Sequence, residues 1–233
     1  IGCIGAGAYA SSMLLPHLKA HKKVRMEAVA NATSLSARNA QDKFGFAHSG
    51  TDYRLWLKDE AVNAVVIATR HATHPKFVCE VLEAGKAVFV EKPLAVDLAG
   101  LEQVTETITR TGNARLLVGF NRRYSPVVRK MKQMLGAAPY PLAMHYRVHA
   151  GQLDAGNWTQ DKTEGGRFIG EAGHFLDVFA YLTGSRPVQV AAMRLQAEES
   201  LAGDDDNLAV TVSYANGSIA TLHYLTQGGQ RTP

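Results

Sequence analysis

The chain begins Ile1-Gly-Cys-Ile-Gly-Ala-Gly-Ala-Tyr-Ala10, an apolar run that leads into closely spaced glycines. The run is typical of a β-strand, and the spacing Gly5-x-Gly7-x-x-Ala10 is that of a tight turn entering a helix. In such a turn the first glycine permits the bend, the second lets a ligand approach the backbone, and the small third residue lets the helix pack closely. The helix N-terminus favours a phosphate. The stretch predicts a dinucleotide-binding turn; a strand–helix turn without a ligand is the alternative.

Short apolar runs alternate with helical patterns through the first 120 residues. Ala64-Val-Val-Ile-Ala-Thr69 and Ala87-Val-Phe-Val90 are uninterrupted apolar runs, which suit parallel strands buried on both faces. Further strands are expected at 26–30, 46–48 and 115–119, and helices at 9–20, 35–44, 52–57, 76–84 and 98–111. We therefore expect an α/β Rossmann domain, a doubly wound parallel sheet, over residues 1–120, with its ligand at the carboxyl ends of the strands.

The pattern changes after residue 120. Helices are expected at 126–135 and from about 167 to 182, and strands at 142–150, 188–196, 208–214 and 218–226. Alternate residues of a strand face opposite sides, which would put Met144, Tyr146 and Val148 on one side and His145, Arg147 and His149 on the other. Asn216-Gly217 predicts a tight hairpin, and the acidic residues Glu198-Glu199 and Asp204-Asp205-Asp206 are expected in a solvated loop. Residues 121–233 should form an α+β domain with an open, mostly antiparallel sheet.

The composition is that of a globular protein, with 46% hydrophobic and 20% charged residues among 233 and a formal net charge of +4. Lysines and arginines are spread along the chain, so an anionic cofactor or substrate explains the charge better than a nucleic acid does. Cys3 and Cys79 lie in apolar segments, which indicates buried thiols in a reducing, cytoplasmic compartment. No apolar run reaches the roughly 18 residues of a membrane helix. Because the chain starts inside a strand without a methionine, we expect it to be part of a longer protein.

Three segments that carry chemical groups follow predicted parallel strands: the glycine-rich turn, Thr69–Pro75 and Glu91-Lys92-Pro93. The carboxyl ends of parallel strands converge on one crevice. Lys92 is the sharpest catalytic candidate, because its ammonium can hydrogen-bond a substrate hydroxyl or carbonyl. A neighbouring oxidised nicotinamide would lower its pKa toward the range useful for acid–base catalysis. A surface lysine in a turn is the alternative.

His174 is the second candidate, since it lies three residues after Glu171 and so shares its helix face. The pair would line a substrate pocket, for which Arg122 and Arg167 are further candidates; a core histidine bonded to a backbone carbonyl is the alternative for His174. His71 and His74 could be metal ligands, but no cysteine or carboxylate cluster accompanies them, so we expect no metal.

The adenosine end of a bound dinucleotide would lie after the second strand, where an acidic residue usually holds the ribose. This position is Asn31, with Arg38 as a loosely placed cation, so NAD and NADP both stay open with NAD slightly favoured. The residues expected to contact the cofactor are Gly5, Gly7, Ala8, Tyr9, Ala10, Asn31, Thr33, Arg38, Thr69, Arg70, His71, His74, Glu91, Lys92 and Asn121.

Together these motifs resemble the Gfo/Idh/MocA family, the relatives of glucose–fructose oxidoreductase and inositol dehydrogenase. The resemblance spans residues 1 to about 180 and is carried by Gly5-Ala-Gly-Ala-Tyr-Ala10, Ala64–Thr69 with His71 and His74-Pro75, Ala84-Gly-Lys-Ala-Val-Phe-Val-Glu-Lys-Pro93, and Gly165-Gly-Arg with His174 and Asp177. The run Val118-Gly-Phe-Asn-Arg-Arg-Tyr-Ser-Pro126 further resembles a bacterial subgroup. In that subgroup the module often follows an N-terminal half that is similar to a zinc-type alcohol dehydrogenase.

The resemblance implies a Rossmann domain followed by an open-faced sheet domain that binds substrate and assembles homodimers or homotetramers. It implies reversible hydride transfer between NAD(P) and a sugar, cyclitol or nucleotide sugar. It also implies that Lys92 is the acid–base or substrate-orienting lysine, that His174 is the pocket histidine, and that the Lys92-Pro93 bond is cis.

Two departures from the family pattern keep a second function open. Many relatives have an aspartate four residues before the histidine, where this chain has Gly170 with Glu171 beside it. Neighbouring helix positions point about 100° apart, so Glu171 does not take the aspartate's direction. The chain also ends at Pro233, before the last strands and the helix that relatives usually have. A non-catalytic sensor or regulatory subunit is therefore the alternative to an enzyme, and a structural module without a ligand is a third interpretation.

Overall fold

The computed structural model describes residues 1–136, 140–154, 156–195 and 206–226. The chain divides into two compact units, Ile1–Gly119 and Phe120–Pro233, each with its own sheet. Among the described residues, no helix combines the length and the apolar character that crossing a bilayer requires. Of the acidic residues expected in a loop, Glu198, Glu199, Asp204 and Asp205 lie outside the described residues, and Asp206 is buried.

The first unit is a parallel sheet between layers of helices. Its strands are β1 (Gly2–Ile4), β2 (Ala28–Ala30), β3 (His48–Gly50), β4 (Ala64–Ile67), β5 (Ala87–Val90) and β6 (Leu116–Val118), and its helices are α1 (Leu15–Ala20), α2 (Ser34–Phe44), α3 (Arg54–Leu57), α4 (His74–Glu83) and α5 (Leu98–Thr111). The strands pair in parallel in the order β3-β2-β1-β4-β5-β6. The order reverses between β1 and β4, which is where ligands bind in folds of this type. The predicted doubly wound sheet is confirmed.

Both faces of this sheet are covered. Val65 and Ile67 of β4 belong to one buried cluster with Val78 of α4, whereas Val66 between them belongs to a second cluster with Phe44 of α2. Because neighbouring residues of one strand enter different cores, every position of β4 has to be apolar. Cys3 and Cys79 are both buried free thiols, as expected.

The first helix differs from its prediction. The segment expected at 9–20 is divided into a π-helical turn, Ala10–Leu14, and α1. Pro16 lies in the first turn of α1 and has no N–H with which to continue an α-helical ladder from the preceding residues. The wider turn immediately before the proline is the local adjustment that π-helical turns provide.

Two short elements of the first unit begin later than predicted. β3 lies at His48–Gly50 and not at 46–48, because His48 pairs with Ala28 of β2 while Phe46 is buried in the core. α3 begins at Arg54 and not at Asp52. The Asp52 carboxylate instead accepts a hydrogen bond from the Arg54 backbone N–H, just ahead of the helix.

The second unit is a four-stranded sheet with a long helix on one face. Its elements are α6 (Pro126–Leu135), β7 (Ala143–His149), α7 (Gly166–Thr183), β8 (Pro187–Arg194), β9 (Leu208–Tyr214) and β10 (Ile219–Leu225). The strand order is β7-β10-β9-β8, with β7 and β10 parallel and the other pairs antiparallel. The predicted α+β unit with an open, mostly antiparallel sheet is confirmed.

The two faces of this sheet have different surroundings. Tyr146 of β7 packs on Phe175 of α7 with ring centroids 4.8 Å apart, and it joins the buried cluster as the alternation predicted. The opposite face is exposed at His145, where the ring Nε2 lies 3.0 Å from Nδ1 of His223 on β10. The predicted hairpin between β9 and β10 turns at Gly217, whose φ of 83° suits glycine.

Candidate functional site

The glycine-rich turn follows β1 at the point where the strand order reverses. Gly5 has a φ of +88°, and a Cβ atom there would stand 2.5 Å from the carbonyl oxygen of Ala68. Gly7 is different: among the described residues, no atom lies within 4 Å of its Cβ position. Gly5 is therefore required by the fold, whereas Gly7 leaves an open cradle beside the backbone that a side chain would fill. The turn fits a phosphate-bearing ligand.

Asn31 fixes the shape of this turn. It follows β2, and its Oδ1 accepts a hydrogen bond of 2.7 Å from the Ala6 backbone N–H. Thr33 caps α2, because its hydroxyl oxygen accepts a hydrogen bond from the Ser36 N–H. Arg38, one turn into α2, pairs with Asp42 four residues further on. The end of β2 is thus an amide and hydroxyl surface in place of the usual carboxylate.

A pocket of about 250 Å³ lies beside the turn, at the carboxyl ends of β1, β2 and β4. Four of the predicted contact residues line it, namely Gly5, Asn31, Thr69 and Arg70. The lining residues that sequence reasoning missed are Ile4, Ala30, Ala32, Thr51, Tyr53, Thr73 and Phe77. Thr51 directly follows β3, so its place at the end of a parallel strand was the available signal.

Aromatic side chains form one wall of this pocket. The rings of Tyr53 and Phe77 meet edge to face with centroids 5.1 Å apart. The Tyr53 hydroxyl donates to the Glu80 carboxylate at 2.6 Å. Burial and this hydrogen bond raise the pKa of Tyr53. The ring is therefore held by its polar end while its apolar part stays in the pocket wall, which suits a flat base.

Glu91-Lys92-Pro93 follows β5 on the same edge of the sheet, and the Lys92-Pro93 bond is cis, as the resemblance implied. Glu91 is buried, and burial raises its pKa; the Lys92 charge, the Lys92 backbone N–H and the Tyr9 hydroxyl oppose that rise. A Cβ atom at Gly119 would stand 2.9 Å from Glu91 Oε1, so the carboxyl group packs directly on the backbone after β6. Glu91 thus links the turn before Pro93 to Tyr9 of the glycine-rich segment.

His74 is fully buried between two strand ends. Its Nδ1 lies 2.7 Å from the Pro93 carbonyl oxygen, and its Nε2 lies 3.3 Å from that of Thr69. A neutral imidazole carries one N–H, and the shorter distance favours donation to Pro93. This geometry explains how the loop after β4 is tied to the loop that carries Lys92. His71 is also buried, with its ring centroid 5.9 Å from that of His74.

Two of the proposed substrate residues in the second unit take part in a network of hydrogen bonds. Arg167 of α7 is 4% exposed and donates to the carbonyl oxygens of Ala150 and Gly151 and to Glu171 Oε1. The Tyr224 hydroxyl of β10 donates to Glu171 Oε2. Burial and the Glu171 contact raise the pKa of Tyr224. Both carboxylate oxygens of Glu171 are thus engaged by residues that join α7 to the sheet.

The remaining candidates of the second unit lie at its start and on α7. His174 is half-buried on α7, with its ring edge-to-face to Phe120 at 6.1 Å. Asn121 and Arg122 are exposed in a short 3₁₀ turn, and the Arg122 guanidinium stacks 4.6 Å from the centre of the Phe175 ring. Arg123, next in that turn, forms an ion pair with Asp177 of α7. In the described parts of the chain, no three His, Cys, Asp or Glu side chains are grouped so as to hold a metal ion.

Comparison with known proteins gives two family matches. Residues 1–120 match the model of an oxidoreductase family with an NAD-binding Rossmann fold, and residues 129–231 match the GFO/IDH/MocA C-terminal domain. The uncharacterized oxidoreductase YrbE of Bacillus subtilis is 25% identical over 229 residues, which are 95% of this chain and 65% of that protein. The myo-inositol 2-dehydrogenase of Thermotoga maritima is 25% identical over 225 residues, or 95% of this chain and 67% of that enzyme.

The fold is also that of solved structures. The crystal structure of a probable dehydrogenase from Thermotoga maritima superposes with a TM-score of 0.81 at 25% identity, covering 97% of this chain and 68% of that one. The chain thus spans about two thirds of the length of these relatives.

Proposed function

The chain belongs to the Gfo/Idh/MocA oxidoreductase family, and on that premise we propose that it transfers hydride between NAD(P) and an alcohol carbon of a sugar, cyclitol or nucleotide sugar. Residues 1–120 would bind the cofactor, and residues 121–233 would bind substrate and assemble subunits. A bound nicotinamide supplies the acceptor or donor of the hydride.

One observation carries this proposal: the open cradle at Gly7, the pocket beside it and the Lys92 turn all follow neighbouring parallel strands of one sheet. The shape of the cradle is maintained by Asn31, and the Lys92 turn is tied to the β4 loop by His74. The proposed nucleotide-binding groups and the proposed catalytic lysine therefore belong to the same packed unit, which supports the proposal. Such fixed positions are what general acid–base catalysis requires.

Within this function Lys92 exchanges the hydroxyl proton of the substrate as its carbon is oxidised or reduced. Glu91, held under the turn by burial and by Tyr9, orients the backbone from which Lys92 extends. His174 is proposed as a second catalytic group, and Asn121 and Arg122 as ligand-binding residues. Arg167 and Glu171 support the second unit through their bonds to Ala150, Gly151 and Tyr224.

The test is to replace Lys92 and to measure turnover and cofactor binding separately. With a panel of sugars, cyclitols and nucleotide sugars, Lys92→Ala should lower kcat by about 100-fold or more, since a positioned acid–base group contributes that much. Cofactor Kd, measured by fluorescence titration, should change little. Lys86→Ala is the matched control, because Lys86 precedes the same strand at its opposite end and bonds to the Asp59 carbonyl oxygen. Wild-type turnover in Lys92→Ala would refute the catalytic role.

A non-catalytic sensor or regulatory subunit is the second candidate, and the Glu171 geometry favours it. Gly170 stands in the usual aspartate position, and the neighbouring Glu171 carboxylate is bonded to Arg167 and Tyr224, which join α7 to the sheet. Cofactor binding without turnover on any substrate of the panel would support the sensor. Turnover that is lost in His174→Ala would support the enzyme.

We also propose that the chain forms a homodimer or homotetramer through the exposed sheet face that carries His145 and His223. A charge-reversing substitution there, Arg147→Glu, should reduce the sedimentation coefficient if the face is an interface.

We further propose a cytoplasmic location and association with an alcohol-dehydrogenase-like module. Fractionation and the mass of the native protein test them.

A further inference from the structure

The pocket beside the glycine-rich turn has a distinctive charge. Within the part of the chain that the structure describes, its lining includes no aspartate or glutamate and one cation, Arg70. In a fold that holds NAD, a carboxylate at the end of the second strand commonly accepts hydrogen bonds from the adenosine ribose hydroxyls. That carboxylate also repels the 2′-phosphate that distinguishes NADP. The described lining of this pocket contains no carboxylate that could repel a 2′-phosphate.

Asn31, which takes the position of that carboxylate, presents a donor. Its Oδ1 is used by the Ala6 N–H at 2.7 Å. The amide NH₂ is therefore the group with which Asn31 can address a ligand, and an amide N–H donates to a phosphate oxygen. The α2 helix that begins three residues later has no acidic residue in its first turn, so its N-terminal dipole also favours an anion.

Three carboxylates near these residues contact arginines. Glu80, which holds Tyr53 of the pocket wall, accepts two hydrogen bonds from Arg54 at 3.1 Å. Asp52, beside the lining residue Thr51, accepts the Arg54 backbone N–H and has the same guanidinium within 3.9 Å. Asp42 of α2 pairs with Arg38. Arg54 serves both Glu80 and Asp52 and so offsets their charge only in part, but none of these three carboxylates belongs to the pocket lining, whose charged residue is Arg70.

We propose that this pocket takes the adenosine end of a 2′-phosphorylated dinucleotide, with Arg70 and the Asn31 amide as the residues that make the protein prefer NADP to NAD. The inference rests on the proposed function only for the placement of a dinucleotide in this crevice. It reverses the slight preference for NAD that the sequence alone suggested. An arginine near the ribose is a common way for this fold to accommodate the 2′-phosphate.

The test uses two small probes that lack the nicotinamide, so that it does not depend on turnover. The Kd values of 2′,5′-ADP and 5′-AMP are measured by calorimetry on the full chain. Wild type should bind 2′,5′-ADP about tenfold or more tightly than 5′-AMP, the ratio expected of one charge-assisted contact to phosphate. Arg70→Ala should remove most of that ratio. Asn31→Asp should reverse it, because one carboxylate oxygen can still accept the Ala6 N–H while the other faces the ribose.

Two control variants match these substitutions. Asn39→Asp adds the same charge to an exposed position of α2 outside the pocket lining. Arg110→Ala removes an arginine of α5 that pairs with Glu83 of α4. Both should keep the wild-type ratio. Equal binding of the two probes by wild type would overturn the inference and leave the proposed function standing. No binding of either probe, nor of NAD or NADP, would overturn both.

Discussion

Replacing Gly5 and Gly7 separately by alanine should affect two different properties of the protein, its stability and its ligand binding. The two residues belong to the same turn, yet they meet different surroundings. A Cβ at position 5 enters the Ala68 carbonyl, whereas a Cβ at position 7 meets nothing within 4 Å among the described residues. We expect Gly5→Ala to damage the fold and Gly7→Ala to damage ligand binding.

The cost of Gly5→Ala can be estimated from two terms. A positive φ costs a residue with a Cβ roughly 1–2 kcal/mol. The contact at 2.5 Å is with backbone, and the Ala68 N–H is bonded to the Ile4 carbonyl at 2.9 Å, so the strand cannot easily move aside. Overpacking of this kind costs about 1–3 kcal/mol. The strained φ and the overpacking together should lower the free energy of unfolding of the first unit by about 2–5 kcal/mol.

Gly7→Ala should leave that free energy unchanged or raise it by up to about 1 kcal/mol, because alanine has fewer conformations to lose on folding. Its methyl group would occupy the cradle, so the affinity for NADPH should fall by about tenfold or more.

The assay is urea unfolding followed by the fluorescence of Trp56, which is buried in the first unit, in a Trp158→Phe background. NADPH binding to the same variants is measured by fluorescence titration. Gly5→Ala as stable as wild type would refute the steric argument. Undiminished NADPH binding by Gly7→Ala would refute the assignment of the cradle.

Two further predictions concern buried polar groups. Because burial raises the pKa of Glu91 above 4.5, the folded protein holds this proton more tightly than the unfolded chain, and stability is lost as the pH rises from about 4.5 through the folded pKa. As the pH rises through this range, the free energy of unfolding of Glu91→Gln, measured in urea, should therefore increase relative to that of wild type. A difference between the two proteins that does not vary with pH would contradict this. Tyr224→Phe removes a donor to the Glu171 carboxylate and should lower the stability of the second unit by about 1–3 kcal/mol. Amide hydrogen exchange of β10 measures this loss, with Tyr140→Phe at an exposed position as the control, and unchanged protection of β10 would argue against the network.

The parts of the fold that sequence predicted well have local causes. α5 and α6 have the predicted bounds because their ends are encoded within a few residues. Asp97 accepts the Gly100 N–H, Gly112 ends α5 with a φ of 66°, and the Ser125 hydroxyl accepts the Val128 N–H. Strands β4 and β5 were equally predictable, since burial on both faces of a strand demands an unbroken apolar run.

The pocket and the polar networks depend on contacts between distant residues, and these were not predictable. β3 is short and polar, with the sequence His48-Ser49-Gly50, so its own residues did not place it correctly, and without its place the lining residues Thr51 and Tyr53 that follow it were missed. The helical spacing of Glu171 and His174 suggested that both residues line a substrate pocket. One of the two residues that bind the Glu171 carboxylate is Tyr224, 53 residues further along the chain.

The bond between Asn31 and the Ala6 N–H has a consequence for how a ligand arrives. The chain itself satisfies this donor, so the turn is held in shape by its own side chain without a nucleotide. Little conformational entropy remains to be lost on binding, and the affinity is reduced less than it would be for a loop that orders around its ligand. Association would then be limited by diffusion and orientation, with no slow folding step of the turn before capture.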